Sequence, residues 1–146
     1  TSRRQRQMCI RDSGYTLIMS TEIIGLSHLE REIIANVVRY NIRDFDYDMM
    51  QLETEAGQDL AGVSDRTAIT ILIAKLTAIL RLANSMDKTH KSKLIDCRMA
   101  VREGQLVITT GYKGDLALES ASFEQKAAFF EEIFGIRPVL KQKRRV

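Results

Sequence analysis

The stretch RTAITILIAKLTAILRLANSMDKTHKSKLIDCRMAV, residues 66–101, carries two hydrophobic periods, and the point where one replaces the other decides the fold. Ile69, Leu72, Ile73, Leu76, Ile79, Leu80, Ala83 and Met86 recur at steps of three and four, the spacing of a helix with one buried stripe. Ile71 and Leu82 widen that stripe, so the spacing predicts a central, largely covered helix capped by Ser64 or Asp65. Beyond Lys93 the period falls to two. Ile95, Cys97, Met99 and Val101 alternate with Asp96, Arg98 and Arg102, which predicts a strand whose apolar row faces a core. Glu103-Gly104 then supplies a tight turn, and LVITT, residues 106–110, returns as the partner strand.

Upstream, YTLIMSTEIIG (15–25) reads as the end of a helix stopped by Gly25. Ser27-x-x-Glu30 is a capping box, opening a helix to about Tyr40 with Leu29, Ile33, Val37 and Tyr40 on one stripe. Residues 42–63 lose the period; a short helix over 48–55 is expected within an otherwise exposed connection. Downstream, residues 116–118 read as a third short strand. Ser122-x-x-Gln125 reads as a helix cap, with Phe123, Ala127, Phe130, Ile133 and Phe134 available for burial. Gly135 ends that helix, and IRPVL (136–140) is a last strand with Pro138 marking a sheet edge. The expected class is α+β: a helical half over residues 14–92, then a β-β-β-α-β half over residues 93–146.

A chain of 146 residues, 45% hydrophobic, can bury one core or two small ones. No uninterrupted apolar run reaches the eighteen or so residues of a membrane span, so no membrane partner is expected. Cys9 and Cys97 are too few for a disulfide framework and lack zinc-site spacing, which makes a reducing cytoplasm the expected location. The net charge is +3, and all of it lies at the start: residues 1–13 hold four arginines against one aspartate, leaving 18 basic and 18 acidic groups in the rest. That opening, RRQRQMCIRDS (3–13), lacks the apolar segment of a secretory signal and shows no helical face. It resembles the in-frame translation of a sequencing adapter, Arg-Arg-Gln-Arg-Gln-Met-Cys-Ile-Arg-Asp. Residues 1–13 are therefore expected to be non-native, and the remainder to be part of a longer protein.

Motifs for phosphate loops, serine nucleophiles and metal-binding histidine or cysteine pairs are absent. His28 and His90 are too few for a multi-histidine metal site, and His28 is expected to make a surface contact near Glu32. The acids Asp46, Asp48, Glu53, Glu55 and Asp59 fit no calcium-loop spacing and read as a solvated surface. Cys97 reads as a small core residue. The stretch AKLTAILRLANSMDKTHKSK (74–93) stands apart, because Lys75, Arg81, Lys88, His90, Lys91 and Lys93 crowd one apolar helix and its exit. Thr77, Arg81, Asn84 and Lys88 fall on one helical face, which suits phosphate; ion pairing with Asp87 and with the acidic connection is the alternative.

Three blocks, LSHLEREIIANVVRYN (26–41), AKLTAILRLANSMDKTHKSK (74–93) and FFEEIFGIRPVL (129–140), are together similar to the C-terminal region of the exopolyphosphatase / guanosine pentaphosphate phosphohydrolase family. The resemblance spans about residues 15–140. It implies an HD-like helical module, truncated at its start, followed by a small α+β subdomain. It further implies an accessory region that binds polyphosphate or guanosine pentaphosphate and supports a homodimer of the full-length protein. Hydrolysis of the phosphoanhydride would lie in an actin-like half whose motifs are missing here, so this chain alone is expected to be inactive, with no catalytic residue. No cofactor is expected in this chain, though Mg or Mn could serve the full-length enzyme. Within that frame Arg81, Lys88, Lys91 and Lys93, then Lys75, are the expected phosphate contacts. The alternative is a metal-dependent HD phosphohydrolase acting on a nucleotide. Against it, Asn84, a weaker ligand, stands at the position of the distal HD aspartate, so no metal ligand is assigned. Nucleic-acid binding through Lys141, Lys143, Arg144 and Arg145 is a third reading; that tail is short and lacks aromatic neighbours, so no nucleic-acid partner is expected.

Overall fold

A computed structural model describes residues 3–48, 50, 52 and 66–143, with residues 3–11 as backbone only. The fold is α+β. Its elements in chain order are α1 (Arg3–Ser20), α2 (His28–Ile42), α3 (Arg66–Met86), β1 (Arg98–Arg102), β2 (Gln105–Thr110), α4 (Ala117–Phe134) and β3 (Arg137–Gln142). The chain packs as two compact units, Thr1–Thr77 and Ala78–Val146, so the division passes through α3. The change of period near Lys93 marks the passage from helix to sheet inside the second unit.

In the first unit, Ser27 caps α2 as its sequence dictates. Its hydroxyl accepts from the Glu30 N–H at 3.2 Å, and the Glu30 carboxylate accepts from the Ser27 N–H at 2.7 Å. Leu29, Ile33 and Tyr40 of α2 are buried with Ile69 and Ile73 of α3 and with Met50. Although the opening residues show no helical face in sequence, α1 runs unbroken from Arg3 through Ser13 to Ser20. Asp12 pairs with Arg39 at 3.2 Å and Arg43 at 3.0 Å, and the Arg39 guanidinium lies 3.6 Å from the centre of the Tyr15 ring. Gly14 sits where α1 meets α2, and a Cβ there would fall 2.8 Å from Val38 Cγ1. Gly25 does not stop the helix. Thr21 and Ser20 hydroxyls donate back to the Leu17 carbonyl five residues earlier than expected, and Gly25 takes a positive φ in the turn that follows. The helix expected over 48–55 and the cap at Ser64 or Asp65 lie outside the described residues, apart from Asp48, Met50 and Leu52.

In the second unit, the β1–β2 hairpin closes on Glu103-Gly104, both at positive φ, the geometry of a two-residue primed turn. α4 carries the chain from β2 to β3, which pair in parallel; the sheet order is β1-β2-β3. Two expectations fail here. Residues 116–118 are not a strand: α4 begins at Ala117, where the Asp115 carboxylate accepts the Ala117 N–H at 2.8 Å, so Ser122 lies inside the helix and caps nothing. The apolar row of β1 is also uncovered, with Met99 58% and Val101 64% exposed. The core belongs instead to α4 against β2 and β3, where Phe123, Phe130, Ile108, Ala78 and Leu82 are buried, and Cys97 packs at its margin as expected. Gly135 ends α4 in the left-handed region, its N–H donating to the Glu131 carbonyl at 2.8 Å. Pro138 lies in the edge strand β3, where a missing donor is tolerated.

By length and composition α3 could cross a membrane. It carries Lys75 and Arg81 and places residues in both hydrophobic clusters. It is not the largely covered helix that its stripe predicts, because Ile71, Leu76 and Ile79 are 46%, 39% and 49% exposed.

Candidate phosphate-binding loop

α3 ends at Met86 because the chain turns at Asp87. The Asp87 carbonyl accepts the His90 N–H at 3.0 Å, and its carboxylate accepts the Ser92 N–H at 2.9 Å. His90 and Ser92 hold positive φ, a conformation costing about 1 kcal/mol or more each in non-glycine residues. The second anchor is Glu119, in the first turn of α4. The Thr89 hydroxyl donates to one of its oxygens at 2.5 Å, and the Lys93 ammonium donates to the other at 3.3 Å and to the Asp115 carbonyl at 2.9 Å.

This anchor is almost dry, with the Glu119 side chain 1% and the Lys93 side chain 13% exposed. The Thr89 hydrogen bond is the main reason that the Glu119 carboxyl lies below the ordinary glutamate range. Burial opposes that shift, and the residue's own backbone N–H and Lys93 support it. The connection from β2 to α4 is clamped as well. Gln142 of β3 donates to the carbonyls of Tyr112 at 2.7 Å and Gly114 at 2.9 Å.

The expected cations thus separate into distinct roles. Lys88 and Lys91 are exposed and form no ion pair with a described residue. Lys93 is spent on Glu119 and Asp115, so its charge is bound internally rather than offered to a ligand. The Arg81 guanidinium lies over the Phe129 ring at 4.7 Å, half-buried on the α3 side of the second cluster. Lys75 is exposed but belongs to the first unit. The common face expected for Thr77, Arg81, Asn84 and Lys88 does not form: Thr77 is fully buried, and Lys88 lies beyond the end of α3.

The sequence reading missed Glu119, Gln142 and the exposed Lys113 on the clamped connection. Reading residues 116–118 as strand hid the first, because it removed Glu119 from a helix start where a carboxylate is favoured. His28 contacts Arg31 at 3.3 Å, while Glu32 is buried. Among the described residues no three His, Cys, Asp or Glu side chains converge to hold a metal ion. Beside the loop lies an open groove of about 320 Å³ lined by Ala83, Met86, Leu94, Ile95 and Met99, with Asp87 and Ser92 at its polar end. Its walls suit apolar groups, not phosphate. No protein-family model matches the chain, and no curated protein matches it.

Proposed function

We propose that this chain is a polyanion-binding accessory region, the C-terminal part of an exopolyphosphatase / guanosine pentaphosphate phosphohydrolase-like protein, which grips phosphate while hydrolysis occurs elsewhere. The observation that carries this reading is the division of labour in the Asp87–Lys93 stretch. Asp87, Thr89 and Lys93 spend their polar atoms holding the loop, and Lys88 and Lys91 are exposed on it with no ion pair to a carboxylate among the described residues. A loop fixed before binding loses little conformational entropy on contact. Exposed ammonium groups meet each phosphate as point charges, screened within about 10 Å at 0.1 M salt. One phosphate is held weakly under those conditions. A long polyphosphate is held better, because successive phosphates stay at high effective concentration beside the same loop. Polyphosphate or guanosine pentaphosphate is the ligand class that fits, and Arg81 and Lys75 are not needed for it.

Titration of the chain with long-chain polyphosphate at low salt tests this. Lys88→Ala with Lys91→Ala is expected to weaken binding about tenfold and to flatten its salt dependence. Unchanged affinity in that pair of substitutions removes the loop from the function.

A further inference from the structure

We propose that the sheet face turned away from α4 binds a small phosphomonoester with an apolar body, its phosphate held by the row Arg98, Thr109 and Lys141. The site is separate from the Asp87–Lys93 loop and does not rest on the polyphosphate reading.

The ladder registers define this face. Ile108 and Leu140 pack with the second cluster under α4, and Pro138 between β2 and α4 is buried. Side chains alternate along a strand, so the residues between those positions lie on the opposite face. There Arg98 pairs with Thr109 and Thr109 with Lys141, which sets the three in one row across the sheet. The next row is apolar: Ala100, Val107 and Val139, all half-buried. Arg137, further along β3, is already spent on Glu131 at 2.8 Å and Glu124 at 3.2 Å.

The polar row is different, because its donors are all free. Arg98 and Lys141 are exposed, and neither forms an ion pair with a described residue. Asp96, in the turn before β1, is no exception. The Thr109 hydroxyl has no hydrogen-bond partner among the described residues, whereas that of Thr110, on the covered face, accepts the Tyr112 N–H at 3.1 Å. Neighbouring strands lie about 4.8 Å apart, so Arg98 and Lys141 stand about 10 Å apart at their backbones with Thr109 between them. Two long side chains can close over the hydroxyl from either side.

Charge selects the ligand. The row offers two unneutralised cations and one neutral donor. A phosphomonoester carries about −1.5 to −2 at neutral pH and matches that pair, while a phosphodiester, with a single charge, leaves one cation unmatched. Arginine presents its fork to two phosphate oxygens, and lysine meets the phosphate as a point charge. The adjoining Ala100, Val107 and Val139 then give the carbon part of the ester an apolar surface to lie on.

Backbone amide NMR of the full chain, titrated with phenyl phosphate at low salt, provides the test. The signals of Arg98, Thr109 and Lys141 are expected to shift together. Arg98→Ala is expected to weaken binding about tenfold and Thr109→Val about fivefold. Valine keeps the branched shape that a strand favours, so the loss in Thr109→Val is not a folding defect. Dimethyl phosphate, a monoanion, and inorganic phosphate, which has no apolar body, are each expected to bind severalfold more weakly. Lys88→Ala with Lys91→Ala is expected to leave phenyl phosphate affinity unchanged, so this site and the loop succeed or fail separately. Shifts confined to the Asp87–Lys93 loop overturn the proposal. So does affinity indifferent to both Arg98→Ala and Thr109→Val, or equal affinity for phenyl phosphate and either of the other two anions.

Discussion

The hydrophobic clusters of the two units draw on opposite ends of α3 and are built from different materials. In the first, aliphatic residues of α2 and α3 meet a tyrosine and a phenylalanine, with the Tyr40 and Phe45 rings 4.8 Å apart, and α2 also buries Glu32 and Asn36 completely. The Asn36 amide donates to the Glu32 carbonyl, and its own oxygen has no hydrogen-bond partner among the described residues. Polar atoms buried this way offset part of what the apolar contacts contribute. In the second, Phe123 is fully enclosed between α4 and the sheet, and Phe130 stacks on Phe134 at 4.5 Å. Two clusters of similar extent therefore differ in how much one side chain matters.

The largest effect should follow from emptying the second cluster. Phe123→Ala is expected to cost about 3–5 kcal/mol, since a fully enclosed ring leaves a cavity that a helix packed on a sheet cannot easily close. Ile73→Val at the enclosed centre of the first cluster should cost only about 0.5–1.5 kcal/mol. Denaturant unfolding gives the two magnitudes, and amide hydrogen exchange shows where protection is lost. Loss concentrated in β2, α4 and β3 for Phe123→Ala supports the contrast; equal loss across α2 would break it.

A smaller effect, with a pH signature, is expected at Glu119. Its carboxyl titrates below the ordinary range in the folded chain, chiefly because of the Thr89 hydroxyl. A lowered folded pKa means that its contribution is complete above the unfolded value, near pH 4.3, and is lost as pH falls through the folded value. Thermal melts should thus be insensitive to this group from neutral pH down to about pH 5 and should weaken below that. Glu119→Gln keeps an acceptor for Thr89 but strips Lys93 of its charge partner. It is expected to lower the midpoint by several degrees at pH 7 and to make the acid-side decline shallower. An unaltered acid limb would show that the anchor is not ionised as described.

What the sequence revealed, and what it hid, follows the range of the interactions concerned. α3, the β1–β2 turn and the Gly135 stop are written in residues adjacent to one another, and each forms where its local pattern puts it. The start of α4 was obscured because Leu116 and Leu118 imitate strand alternation over too few residues to betray a helix, while the deciding contact is the Asp115 carboxylate on the Ala117 N–H. Alternation placed Met99 and Val101 on one face correctly, but it carries no information on whether a helix covers that face. The cation-rich loop was visible as composition. Which lysine is spent internally depended on Glu119, 26 residues beyond Lys93, and no local pattern encodes that pairing.

The smallest effect compares two serines that look alike in sequence. Ser27 and Ser122 each precede an acidic or amide residue by three positions, and both fit a capping box. Only Ser27 flanks a helix start; Ser122 lies in the interior of α4. Ser27→Ala removes the acceptor for the Glu30 N–H and breaks the reciprocal pair, at an expected cost of about 1 kcal/mol. Ser122→Ala replaces a modest helix former with the best one and is expected to be neutral or to stabilise by a few tenths of a kcal/mol, roughly. Denaturation midpoints of the two variants measure the difference directly. Equal losses would mean that α4 begins near Ser122 in solution, which would detach Glu119 from the helix and dissolve the anchor that holds Lys88 and Lys91 outward.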